Sequence, residues 1–152
     1  YNNDAVKTRS NQGSYMANDT GFYSTNISTL FIDAMYKHNG FSFMGEYALR
    51  DASDPFAKNS DGSLTGDEVQ VGKGLNLQTG YLVSKTLEVS GRYTNIDWDS
   101  DVTGKGADNQ YTIGLSKYIV GHKLKVQTEV SYLDLATSNN QFMYRLQVHI
   151  HF

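Results

Sequence analysis

The sequence predicts an all-β chain, about seven strands of a transmembrane antiparallel β-barrel, and three observations predict it. Apolar and polar side chains alternate over segments of roughly ten residues, the length a tilted membrane strand requires. Tight turns alternate with long polar connections. The polar side of the alternation carries too many charges for a packed core, because burying an unpaired charge is very costly. Composition agrees. The chain has 152 residues, a net charge of -3, 14 Gly, 11 Tyr, 7 Phe, one Pro and no Cys. No Cys means no disulfide scaffold and no Cys-ligated metal. Mean hydropathy is -0.49, and no run approaches the ~20 apolar residues of a membrane helix. The acidic balance argues against a nucleic-acid partner, which selects a basic surface. Hydrophobic residues make up 39%, low against the ~45–50% of compact soluble chains.

Residues 1–28 are rich in Asn, Ser and Thr without periodicity and read as a loop. Residues 29–36 set Leu30, Ile32, Ala34 and Tyr36 against Phe31, Asp33 and Met35, and Lys-His-Asn-Gly at 37–40 is a tight turn. Residues 41–50 set Phe41, Phe43, Gly45, Tyr47 and Leu49 against Ser42, Met44, Glu46, Ala48 and Arg50. A long polar loop, 51–73, holds Pro55. Residues 74–83 place Leu75, Leu77, Thr79, Tyr81 and Val83 on one face, and Ser84-Lys85 turns the chain. Residues 86–98 oppose Leu87, Val89, Gly91 and Tyr93 to Glu88, Ser90, Arg92 and Thr94, before a Gly/Asp loop at 99–108. Residues 109–120 alternate Tyr111, Ile113 and Leu115 with Gln110, Thr112, Gly114 and Ser116; Lys117 breaks the parity and marks an end or a bulge. Gly121-His122 reads as a two-residue hairpin turn. Residues 123–135 set Leu124, Val126, Thr128, Val130 and Tyr132 against Lys123, Lys125, Gln127, Glu129 and Ser131. After a polar loop at 136–140, residues 141–152 are the clearest case. Phe142, Tyr144, Leu146, Val148, Ile150 and Phe152 share one parity; Gln141, Met143, Arg145, Gln147, His149 and His151 share the other. A helix would mix the two sets around its circumference, whereas a strand separates them.

A soluble sandwich alternates too, but its strands usually run ~5–6 residues and its apolar faces share one core. Here Tyr and Phe collect at strand ends on the apolar face, as in interfacial girdles. In outer-membrane barrels short turns lie on the periplasmic side and long loops outside. The expected division is therefore an extracellular loop segment at 1–28 and the C-terminal part of a barrel at 29–152. Such barrels close with an even strand number, so the N-terminal strands are expected on another segment or chain. An eighth strand within 13–25, giving a small self-closed barrel, is the alternative; a soluble ligand-binding barrel is another.

From about Leu30 to Phe152 the sequence resembles the C-terminal half of the phosphate-selective porin O and P family of Bacteroidetes-type bacteria. The residues that carry the resemblance are Gly74-Leu75-Asn76-Leu77-Gln78-Thr79-Gly80-Tyr81, Leu87-Glu88-Val89-Ser90-Gly91-Arg92-Tyr93, the turn between Tyr118 and Lys123, and a last strand ending in Phe152. The resemblance implies a barrel of about sixteen strands in the bacterial outer membrane. It also implies passive diffusion of small hydrophilic solutes, anions such as phosphate among them. The partners implied are outer-membrane lipid, the N-terminal remainder of the barrel, and a homotrimer or larger outer-membrane complex.

The candidate pore-lining residues are Arg50, Arg92, Lys125 and Arg145, with Glu46, Glu88 and Glu129 on the same parity. The bases could form a track that lowers the barrier to anions; alternatively they pair with the acids across strands and keep the wall hydrated. His149 and His151 share a face, but no third ligand accompanies them. The loop 59–68 superficially resembles a calcium loop, yet Leu64 stands where an EF-hand needs Gly and Gln70 where it needs Glu. No metal, no cofactor and no catalytic set is expected.

Overall fold

A computed structural model describes residues 1–7, 9, 13, 15–120 and 123–151. In chain order the elements are β1 (Asn2–Lys7), β2 (Tyr23–His38), β3 (Phe41–Ala52), β4 (Phe56–Lys58), β5 (Leu64–Glu68), β6 (Gly72–Ser84), β7 (Leu87–Trp98), α1 (Ser100–Thr103), β8 (Ala107–Val120), β9 (Leu124–Asp134) and β10 (Gln141–Ile150). The protein is all-β. Eight strands form one antiparallel sheet in the order β1-β2-β3-β6-β7-β8-β9-β10, and β4 with β5 form a separate two-stranded sheet. The large sheet is an open meander: among the described residues nothing pairs β1 with β10.

Several expectations change. Residues 1–28 are not loop throughout, because β1 and the first turnless stretch of β2 lie there. The eighth strand of the sheet is at Asn2–Lys7 rather than within 13–25. The polar stretch 51–73 contains the β4–β5 pair, and 99–108 contains α1, capped by the Asp99 carboxylate accepting from the Asp101 N–H and by left-handed Gly104. The irregularity expected at Lys117 falls one residue later, as a register shift between Tyr118 and Val120. The expected turn at Gly121-His122 and the terminal Phe152 lie outside the described residues. The 37–40 turn is present. Asn39 and Gly40 both have positive φ, 45° and 82°, as a tight hairpin turn demands.

The chain forms two compact units, Tyr1–Phe31 with Ala48–Lys73 and Asp97–Gly106, and Ile32–Tyr47 with Gly74–Ile96 and Ala107–Phe152. The first is built as water-soluble proteins are. Met16, Ala52, Ala57, Val69 and Val71 are buried together, with Tyr23, Ile27 and Val102 packed against them. Backbone bonds close around this core, Val69 N–H to the Pro55 carbonyl at 2.7 Å and Asp99 N–H to that of Val71 at 3.2 Å.

The second unit is built the other way. Every buried hydrophobic residue among those described belongs to the first unit. In the second, the buried side chains are Thr112, Ser116 and Ser131, while Ile113 is 71% exposed, Leu146 62% and Phe142 79%. Apolar side chains out and small hydroxyls in is the reverse of what water enforces.

Candidate functional site

The polar face of the second unit is assembled by register. Pairing of β8 with β9 and of β9 with β10 aligns Thr112, Ser131 and Met143 in one row, Gly114, Glu129 and Arg145 in the next, and Ser116, Gln127 and Gln147 in the third. Tyr118, Lys125 and His149 form a fourth row. Strand pleating sends all of these to one side, so the sequence parity is reproduced row by row.

Hydrogen bonds knit this face together. The Thr112 and Ser131 hydroxyls lie 2.7 Å apart, and Gln110 Nε2 donates to both at 3.1 and 3.3 Å. Gln127 Nε2 donates to Ser116 Oγ at 3.1 Å. Asn76 Nδ2 donates to Glu46 Oε2 at 2.8 Å and Thr94 Oγ1 to Asn76 Oδ1 at 3.1 Å. Tyr118 donates to Glu88 Oε2 at 2.5 Å. Glycine is used where neighbours close in: a Cβ on Gly114 would stand 2.6 Å from Ser90 Oγ.

Of the seven candidate residues, one ion pair forms, Arg145 Nη1 to Glu129 Oε1 at 2.6 Å, half exposed and so a weak contributor to stability. Cross-strand pairing of all three acids with bases is not what the structure shows: Glu46 takes Asn76 and Glu88 takes Tyr118. Lys125 Nζ sits 5.0 Å from the Tyr118 ring centre. Arg92, with no ion pair among the described residues, lines a polar cavity of about 140 Å³ beside Gln78, Ser90, Gln127 and Glu129. Arg50 belongs to the first unit, its Nε 3.5 Å from Thr29 Oγ1. Sequence reasoning named the charges and put Thr94 and Gln110 on their face, but did not find that Asn76 and Tyr118, of the same parity, are the partners of Glu46 and Glu88. No group of three or more His, Cys, Asp or Glu fit to hold a metal occurs among the described residues.

The opposite face carries an aromatic row crossing four strands. Ring centres are 5.1 Å apart for Tyr93 and Tyr111, 6.4 Å for Tyr111 and Tyr132, and 5.1 Å for Tyr132 and Phe142. Polar tips are held by flanking amides: Tyr93 donates to Asn109 Oδ1 at 2.8 Å, and Asn140 Nδ2 donates to the Tyr132 hydroxyl at 2.7 Å. Next to this row come Ile113, Val130 and Tyr144, then Leu115, Thr128 and Leu146, then Lys117, Val126 and Val148. Tyr36 and Phe41 contact each other beside the 37–40 turn, centres 6.4 Å apart.

In the first unit, the Ser60 hydroxyl and N–H both donate to Asp19 Oδ2, and Ser63 donates to Asp61 Oδ1. These bonds hold both carboxyls below the usual 3.8, with the serine hydroxyl the main cause in each. A lowered folded-state value contributes stability that is complete above 3.8 and is lost as pH falls through the depressed value. Amide exchange at Ser60 and Ser63 should therefore be slowed above the ordinary carboxylate range and lose that protection as pH falls through the depressed values. Exchange there at the free-chain rate near neutral pH would contradict these bonds.

No family model, curated protein or solved structure matches this chain.

Proposed function

We propose that the second unit is part of the wall of a bacterial outer-membrane pore through which small hydrophilic solutes, phosphate-like anions among them, diffuse passively. What supports this is the inversion of burial in that unit: hydroxyls are hidden while Ile113, Leu146 and Phe142 stand exposed. Hydrocarbon is the solvent in which an exposed aliphatic band costs nothing. Aromatic residues with polar tips then sit at its boundary. An exposed apolar area of this extent on a soluble monomer would be an association surface. The polar face would line the aqueous lumen, its work being solvation and charge rather than bond-making. Arg92, Lys125 and Arg145 are balanced there by Glu46, Glu88 and Glu129, so selectivity between ions is weak. The resemblance to the phosphate-selective porins points the same way.

The test is fractionation followed by conductance. The native protein should require detergent for extraction and should give ion-conducting steps in a planar bilayer. Extraction by buffer alone, or insertion without conductance, would sink the reading. Within it, Arg92→Glu should lower the anion-to-cation permeability ratio roughly two- to fivefold, a part of the ~1 kcal/mol that a unit charge exerts at 4 Å in water. Reversal potentials in a salt gradient measure this.

A further inference from the structure

Lys117 breaks the apolar parity of β8, yet the strand runs on to Val120. Lys117 lies opposite Val126, and Val126 opposite Val148, so the lysine leaves the sheet on its apolar face. Leu115, Thr128 and Leu146 form the row on one side of it. On the other side, the register shift after Tyr118 brings Val120 opposite Leu124, and Leu124 lies opposite Ile150. Val120, Val148 and Ile150 are exposed, as Lys117 is. A charge therefore stands inside the exposed apolar band, not at its rim. Its position is fixed. Lys117 Nζ donates to Thr86 Oγ1 at 3.0 Å, and the Tyr118 N–H donates to the Thr86 carbonyl at 2.9 Å, which holds the turn between β6 and β7 beside the end of β8. Lys117 has no ion pair among the described residues. The ammonium keeps two further protons to give and the Thr86 hydroxyl keeps one, all at a single spot on an aliphatic wall. Such a spot calls for an acceptor that carries negative charge.

Charge and surroundings decide which acceptor. The turns at this end of the sheet also carry Lys37, Lys85 and Lys123. Glu88, the carboxylate nearest Thr86 in the chain, is on the polar face and accepts from Tyr118. A second copy inserted the same way up would bring lysines to this level and no free acid. A small anion would have to shed its hydration among aliphatic side chains. A glycerophospholipid meets both demands: its phosphodiester accepts from the ammonium and the hydroxyl, and its acyl chains lie along Leu115, Leu146 and Val148. A zwitterionic headgroup would bring a second ammonium against this basic end, and an anionic one would not. Resting on the membrane reading above, we propose that Lys117 and Thr86 bind the phosphodiester of an anionic glycerophospholipid, of the phosphatidylglycerol kind, on the outer wall at the short-turn end of the sheet.

The protein is extracted in detergent from its native membrane, washed free of lipid and titrated with dioctanoyl phosphatidylglycerol, the bound fraction being read by native mass spectrometry. Lys117→Arg should bind as the unaltered protein does. Lys117→Met should bind about tenfold more weakly, the loss of one charge-assisted contact. Methionine keeps the length of the side chain and suits a lipid-facing position, so the fold is not at risk. Lys123→Met, which removes an equal charge from the next turn, should change little. Dioctanoyl phosphatidylcholine should bind more weakly than phosphatidylglycerol, and inorganic phosphate in large excess should not displace the lipid. Equal affinity in Lys117→Met would overturn the inference. So would an equal loss in Lys123→Met, equal binding of phosphatidylcholine, or displacement by inorganic phosphate, which would assign the donors to a free anion. A protein that leaves the membrane without detergent defeats the pore reading; a detergent-dependent protein whose lipid affinity ignores residue 117 defeats this inference alone.

Discussion

Ile113→Arg should cost roughly 2–4 kcal/mol of folding free energy in a bilayer, the range for a basic residue at mid-depth on the lipid face of a barrel. Ile113 is 71% exposed and sits opposite Val130 on β9, one row from the Tyr111 and Tyr132 rings. With so little of the side chain covered by the described residues, lost contacts alone would cost far less. If its surroundings were water, arginine there would change stability by no more than about 0.5 kcal/mol, as at ordinary surface positions. The two solvents thus give effects that differ severalfold at a single side chain. Urea titration in lipid vesicles, followed by the fluorescence of the only tryptophan, Trp98, reads the difference. An unchanged midpoint would mean that the apolar band does not face hydrocarbon.

The same contrast explains what the sequence made legible. In β10 the two faces differ in kind along the whole strand, so Phe142, Tyr144, Leu146 and Val148 were separable from Arg145, Gln147 and His149 by parity alone. β1 gave no such signal. Asn2-Asn3-Asp4-Ala5-Val6-Lys7 is held by backbone pairing with β2 and by Asp4 N–H donating to Asn26 Oδ1, contacts without an apolar period. β4 and β5 were hidden for a related reason: their core is made of Ala57, Val69 and Val71, scattered among polar residues and meeting Met16 from far along the chain. At the polar face, parity showed that Glu88, Glu129, Arg92 and Arg145 share a side, but partner choice depends on register. Glu129 faces Arg145 because β9 and β10 align those positions, whereas Glu88 is taken by Tyr118, thirty residues away.

Ser131→Leu, one residue from an exposed valine, should destabilise the protein by roughly 2–6 kcal/mol. Overpacking a filled site costs ~1–3 kcal/mol, and stranding its hydrogen-bond partners costs ~1–3 more. Ser131 is fully buried, with Thr112 Oγ1 at 2.7 Å, Gln110 Nε2 at 3.3 Å and Met143 as its cross-strand neighbour. Ser131→Ala removes the bond without adding volume and should cost only about 1 kcal/mol. At the adjoining Val130, half exposed on the opposite face, Val130→Leu should be close to neutral. In an ordinary β-sandwich the order would be reversed: the valine would be the packed position and the serine the permissive one. Denaturation midpoints of the three variants therefore report which face of β9 is closed, independently of any conductance. A tolerated Ser131→Leu beside a damaging Val130→Leu would place the packed interior on the other side of the sheet and remove the physical basis for a water-lined wall.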